Sequence, residues 1–283
     1  MQLKLSAALL FLATVALAQP FPGKIGVGLD GIGGKALEFP NVTLTATKWQ
    51  SVTTGGDAAT DTQGWPTEDF RVVFFDHRPF NAWNNAPDDP GKYVQDLSGI
   101  YTLSFKGQAT LTSWSDAPLV FQNQVYNTAT NTTTLDIVFP PGGGSNAATL
   151  GNYGFCMLNF LQTNFGAGEK GVKEIRMMRP GYQHNNPQIF RTEYLNAISP
   201  FSTLRFMDFI RANNSNKTYP ERQLWSERQQ PDAPRYTKGA PWETAITLAN
   251  YTHKDIWINI PVDAARCGRS ADGDAGPGRR QVR

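Results

Sequence analysis

The sequence predicts a mixed fold. An antiparallel, jelly-roll-like β-sandwich comes first, and an incomplete (β/α) barrel of about three βα units follows. Three observations carry this. Up to about residue 165 the chain reads as seven or eight short apolar strands separated by turn signals. From residue 166 onward, strand and helix patterns alternate. The 283 residues include 26 Gly and 19 Pro, which favours turns and short strands over a helical bundle.

In the first part, residues 42–47 alternate apolar and polar, and this predicts a strand. Residues 70–75 form a compact apolar run. Residues 99–114 read as two strands joined at Lys106-Gly107. Residues 120–125 and 134–139 flank a polar turn at 127–131, a hairpin signature. Residues 153–161 are a further apolar strand. Pro140-Pro141-Gly142-Gly143-Gly144 reads as a loop between strands.

In the second part, residues 172–178 are the first expected parallel strand. Residues 187–198 have helical spacing, with Ile189, Phe190, Tyr194, Leu195 and Ile198 apolar. Residues 203–209 are the second strand. Residues 241–251 are the second helix, with Pro241 at a favourable first-turn position and Glu243 in the first turn. Residues 255–260 are the third strand. This order implies right-handed crossovers and a parallel sheet. Three strands are too few to close a barrel.

The two ends read differently. Residues 1–18 resemble a secretory signal, with Lys4 ahead of an apolar stretch and Ala16-Leu17-Ala18 as the cleavage site. Secretion then predicts an extracellular protein with no membrane association after cleavage. It also gives meaning to five N-x-[ST] sequons, at Asn41, Asn131, Asn213, Asn216 and Asn250, as glycosylation positions. Residues 266–283 hold five arginines among glycines and one valine, too little apolar surface for a core. A basic tail for an anionic partner is one reading. The preferred reading is a disordered, non-native extension. The expected organisation is therefore a signal at 1–18, a sandwich at 19–165, a barrel start at 166–265 and a tail at 266–283.

Composition excludes several classes. Lys+Arg total 26 against 24 Asp+Glu, without a basic block in the folded part, so nucleic acid is not an expected partner. Two cysteines exclude a disulfide scaffold or a multi-Cys zinc module. Cys156 lies in an apolar run and reads as a buried free thiol. His77, His184 and His253 form no H-x-x-x-H or H-x-H pair, so no metal site is expected. Gly26-Val27-Gly28-Leu29-Asp30-Gly31 matches G-x-G-x-x-G. It is expected to be an N-terminal turn, because no helix pattern follows it. No cofactor is implied.

Active sites of α/β barrels collect at the carboxyl ends of the strands. The first expected strand delivers Arg179 there, the second Arg205 and Asp208, and the third Asn259 and Asp263. A sugar-contact role and a structural ion pair, such as Arg205 with Asp208 or Asp263, both stay open. Trp83, Trp65, Tyr182, Trp225 and Tyr236 recur in polar loops, where rings can stack on sugar faces or simply anchor the loop.

The later motifs resemble a known family. Glu174-Ile175-Arg176-Met177-Met178-Arg179-Pro180-Gly181 is followed by Phe201-Ser202-Thr203-Leu204-Arg205-Phe206-Met207-Asp208-Phe209. Trp225-Ser226-Glu227-Arg228, Trp242-Glu243, Leu248-Ala249-Asn250 and Lys254-Asp255-Ile256-Trp257-Ile258-Asn259-Ile260-Pro261 follow in order, and Gly107-Gln108-Ala109-Thr110 adds to them. The order is similar to secreted fungal and bacterial glycoside-hydrolase-like proteins, some labelled cellulose-binding. The resemblance implies an N-terminal sandwich before a (β/α)8 barrel, and a cell-wall polysaccharide as partner. In many barrel glycosidases the catalytic carboxylates come from later strands than the three seen here, so no catalytic pair is carried over. Arg205, Asp208, Asn259, Trp225 and Trp83 are the expected carbohydrate contacts. Three readings remain: an N-terminal portion of a polysaccharide-degrading protein, inactive alone; a non-catalytic polysaccharide-binding protein; or a truncated gene product without function. Oligomeric state is not encoded in these patterns.

Overall fold

The computed structural model describes residues 24–33, 37–77, 97–115, 118–141, 154–213 and 222–265. Within them lie two four-stranded antiparallel sheets packed as a sandwich, and a small parallel sheet of three strands with two helices. The expected signal at 1–18, the tail at 266–283, Trp83 and Asn216 fall outside the described residues.

The first sheet joins β2 (Gln50–Ser51), β3 (Phe70–Asp76), β8 (Phe155–Asn164) and β5 (Gln108–Ser115), in the order β2-β3-β8-β5. The second joins β6 (Val120–Asn127), β7 (Thr132–Phe139), β4 (Gly99–Lys106) and β9 (Lys173–Met178), in the order β6-β7-β4-β9. Period-two alternation explains the pairing of faces. In β7, Thr133, Leu135, Ile137 and Phe139 point inward and are buried, while the residues between them are not. Phe160 of the first sheet meets Phe105 of the second edge-on at 5.5 Å and stacks on Phe70 at 4.6 Å. Each such ring contributes about 1.5–3 kcal/mol by leaving water.

The expected strand pair around Lys106-Gly107 is present, and its corner is tight. β4 and β5 belong to opposite sheets, so the chain crosses the sandwich edge through Gly107 alone. Gly107 has φ +100°, and a Cβ there would stand 2.8 Å from the Asn164 carbonyl oxygen. Only glycine fits both conditions. The expected hairpin across 127–131 is also formed, with β6 and β7 paired from Val120↔Val138 to Asn127↔Thr132.

Three expectations are corrected. Residues 42–47 form no strand; Val42–Thr45 is a 3-10 helix, with Asn41 Oδ1 accepting from Thr43 N at 3.1 Å. Its Val42, Thr43 and Thr45 are all buried, a pattern that apolar/polar alternation mimics. The strand at 172–178 is not parallel. Lys173–Met178 pairs antiparallel with β4, and Ile175 and Met177 feed the sandwich core. Its alternation fits either direction, so the sequence left its partner unspecified. The third correction concerns Gly26–Gly28. This segment is not a turn but β1, parallel to the strand at Thr203–Arg205, with Gly26 opposite Thr203.

The parallel sheet has the order β1-β10-β11, with β10 at Thr203–Arg205 and β11 at Asp255–Trp257, both shorter than the expected 203–209 and 255–260; after β10 the chain turns, with Ile210 N bonding Phe206 O. The helix expected at 187–198 is cut to α1 (Thr192–Ile198), and the one expected at 241–251 forms as α2 (Trp242–Thr252). α2 is the crossover between β10 and β11. It buries Thr244, Ala245, Leu248 and Ala249, one stripe at helical spacing, and ends with His253 in the left-handed region. The sandwich is thus inserted between β1 and α1. A second core forms around Leu204, Phe206, Phe209 and Leu248. Phe39 closes it, 5.9 Å from Phe190 and 5.8 Å from Tyr236. Among the described residues no helix is long and apolar enough to cross a membrane.

Candidate functional site

The carboxyl edge of the parallel sheet is where such sheets place ligands. Three chain segments meet there. The β1 strand runs into Leu29, whose N–H bonds Arg205 O at 2.9 Å. After β10 the chain turns at once: Ile210 N bonds Phe206 O and Arg211 N bonds Asp208 O. β11 runs on past Trp257 to Asn259.

Two of the expected contacts come together. Arg205 Nε donates to Asn259 Oδ1 at 3.4 Å, and the Arg205 guanidinium lies 5.3 Å from the centre of the Trp257 ring. Trp257 is 59% exposed, so its ring remains open to solvent. Asp208 is also exposed and sits beside the β1 loop, where a Cβ on Gly31 would stand 3.5 Å from its carbonyl oxygen. The ion pair weighed for Arg205 is therefore replaced by a bond to the Asn259 amide, which leaves the guanidinium positive.

Trp225 lies apart from that pair, in a short 3-10 helix at Trp225–Glu227. It is 62% exposed, stands 6.2 Å from the Trp242 ring and carries the Arg228 guanidinium 4.1 Å above it. Arg228 also pairs with Glu243. Burial alone would raise the Glu243 carboxyl. The Arg228 hydrogen bond, a backbone N–H and the nearby positive charge outweigh it and hold Glu243 below its usual range.

The remaining residues have other surroundings. Arg179 is not at the sheet edge but buried between the two cores, where its Nε donates to Phe39 O at 3.2 Å. Desolvation lowers its pKa. Glu38 is buried beside it, and burial pushes its carboxyl above the usual range. Asp263 is also buried, and among the described residues neither of its carboxylate oxygens has a hydrogen-bond partner. Cys156 is a fully buried free thiol, and burial raises its pKa.

The sequons differ in exposure. Asn213 and Asn250 are exposed, while Asn41 and Asn131 are half-buried. Asn131 Nδ2 donates to Phe165 O at 2.6 Å and its Oδ1 accepts from Tyr126 at 3.0 Å, so its side chain holds the hairpin turn. Among the described residues no group of three or more His, Cys, Asp or Glu is placed to hold a metal ion.

Sequence reasoning missed Trp257 as a candidate. It is hidden inside an apolar strand, and nothing in that run marks its ring as the exposed face. No family model, no curated protein and no solved structure matches the chain.

Proposed function

We propose that this chain is a secreted carbohydrate-active protein, the N-terminal portion of a glycoside-hydrolase-like polysaccharide-degrading protein, which binds glycan without hydrolysing it alone. In this reading the sandwich is jelly-roll-like and the parallel sheet opens a (β/α) barrel of about three βα units. The observation that carries the reading is the edge group of Arg205, Asn259 and the open Trp257 ring. Sugars present hydroxyls around an apolar C–H face. A fixed guanidinium and amide match the hydroxyls, and an indole matches the face. Asp208, exposed on the same edge, adds an acceptor. Trp225 offers a second ring, and Trp83 is assigned the same role from the sequence.

Sedimentation with insoluble cellulose, chitin and β-glucan tests this. The full chain is expected to be retained on at least one, and Trp257→Ala to lower retention about tenfold, in line with a lost aromatic contact in a binding site. No retention on any of them overturns the reading. Release of soluble sugar by the purified chain overturns its inactivity.

A further inference from the structure

Two adjoining cavities, with volumes of about 120 and 350 Å³, open around the loop before α2, and the larger also borders Asp61 and Gly64 of the sandwich half. Both are lined by Arg228, Gln229, Thr237 and Lys238; the smaller adds Arg211 and the larger Arg235. Four cationic side chains thus border one cleft. The acidic groups near it are already engaged. Asp61 pairs with Lys173 at 3.2 Å, and Glu243 with Arg228. Among the described residues no carboxylate forms an ion pair with Lys238 or Arg235. Lys238 Nζ bonds the Glu227 carbonyl oxygen at 2.9 Å, and Arg235 Nη1 bonds the Thr47 carbonyl oxygen.

The loop that presents these groups is firmly built. Gln229 Oε1 accepts from Lys238 N at 2.9 Å, and Gln229 Nε2 donates to Arg235 O at 3.1 Å. Gly239 has φ +88°, and a Cβ there would stand 2.7 Å from the Ile210 carbonyl carbon. That close approach sets Lys238 against the turn that follows β10, where Arg211 Nη1 bonds Thr237 O at 2.7 Å. The Trp242 ring forms part of the wall.

We infer that this cleft binds an oxyanion carried on a sugar, a uronate carboxylate or a sulfate ester, between Lys238 and Arg235, which both line the larger cavity. Positive side chains held in place before a ligand arrives favour an anion with little reorganisation. The Trp242 wall accepts the sugar face. The inference rests on the glycan-binding reading and narrows it to acidic glycans.

Calorimetric titration of the full 283-residue chain tests this with four probes: a uronate trisaccharide, a sulfated disaccharide, a neutral trisaccharide and sodium sulfate. The acidic sugars are expected to bind at least tenfold more tightly than the neutral one, and the tighter of the two names the group. Lys238→Gln is expected to remove about tenfold of that affinity, as loss of one charged contact does. Lys106→Gln, at the sandwich corner between β4 and β5, is expected to leave it unchanged. Raising the salt concentration is expected to weaken only the acidic sugars, and this arm needs no variant. Equal affinity for acidic and neutral sugars overturns the inference and leaves the glycan-binding reading standing. If no sugar binds, that reading fails, and sodium sulfate binding that is insensitive to Lys238→Gln overturns the inference as well.

Discussion

The sandwich and the parallel sheet treat a carboxylate in opposite ways. In the sandwich, Asp69 accepts from Gln162 N, Thr163 N and Thr163 Oγ1, at 2.8, 2.9 and 2.7 Å. Burial works to raise its pKa, but those bonds prevail and hold it below the usual range. At the junction with the parallel sheet, Glu38 has one carboxylate oxygen without a partner among the described residues, and desolvation prevails. Tyr194 OH, Arg228 Nε and both oxygens of Asp263 share that condition. Strand length follows the same divide. Apart from the two-residue β2, the sandwich strands run from six to ten residues, while each strand of the parallel sheet has three. The comparison teaches that the sandwich satisfies this carboxylate with hydrogen bonds, whereas the junction and the parallel half leave buried polar atoms short of them.

The contrast is broken or sharpened most strongly in the cores. Phe160→Ala and Phe206→Ala both remove a fully buried ring and are each expected to cost about 3–5 kcal/mol. Phe160, braced by Phe70 and Phe105, belongs at the upper end, because its surroundings relax less. Urea melts of both variants measure this, and a larger loss at Phe206 reverses the order.

The next effect is in pH. The lowered Asp69 pKa means its stabilisation is complete above about pH 4, the unfolded carboxylate value, and is lost as pH falls through the folded value. Asp69→Asn is therefore expected to cost about 1–2 kcal/mol at neutral pH, discounted for its partial exposure, and less in acid. Glu38 has the opposite sign. Its raised pKa means the unfolded chain ionises first, so stability falls as pH rises from the unfolded value through the folded one. Glu38→Gln is expected to gain relative to wild type over that rise, by about 1 kcal/mol or less. Melting temperatures across pH 3–8 are the measurement, and parallel profiles for the two variants erase the distinction. The smallest effect is at Trp257. Its exposed ring should leave stability within about 0.5 kcal/mol on change to alanine. A larger loss would make it a structural anchor rather than a binding surface.

Much of the sandwich was legible because alternation and turn chemistry are local. The Lys106-Gly107 corner and the 127–131 hairpin needed only neighbouring residues to be recognised. α2 was legible for the same reason, from Pro241 and Glu243 at its first turn. What stayed hidden was partnership at a distance. β9 alternates in a way that suits either sheet, and nothing local states that Met178 pairs with Thr102. β1 is Gly-Val-Gly, with one side chain to read, and its strand character comes from β10. At the site, Arg205 and Asn259 were legible as polar residues in apolar strands. The cationic cleft was not, because Arg211, Arg228, Arg235 and Lys238 converge only after the loop closes on Gly239.

The insertion of the sandwich between β1 and β10 sets an order of events in time. Ser202 Oγ bonds Ile25 O across 177 residues of sequence. At a synthesis rate of about 5–20 residues per second, β1 leaves the ribosome about 9–35 s before its partner. The sandwich has all its strands once Met178 is made, so it can fold while β1 waits unpaired. The Asn41–Met178 bridge of the folded sandwich then draws the two flanking segments together, so the loop left to close between β1 and β10 is short. β11 is made after both, and the carboxyl edge with its three converging segments cannot be complete until it has emerged.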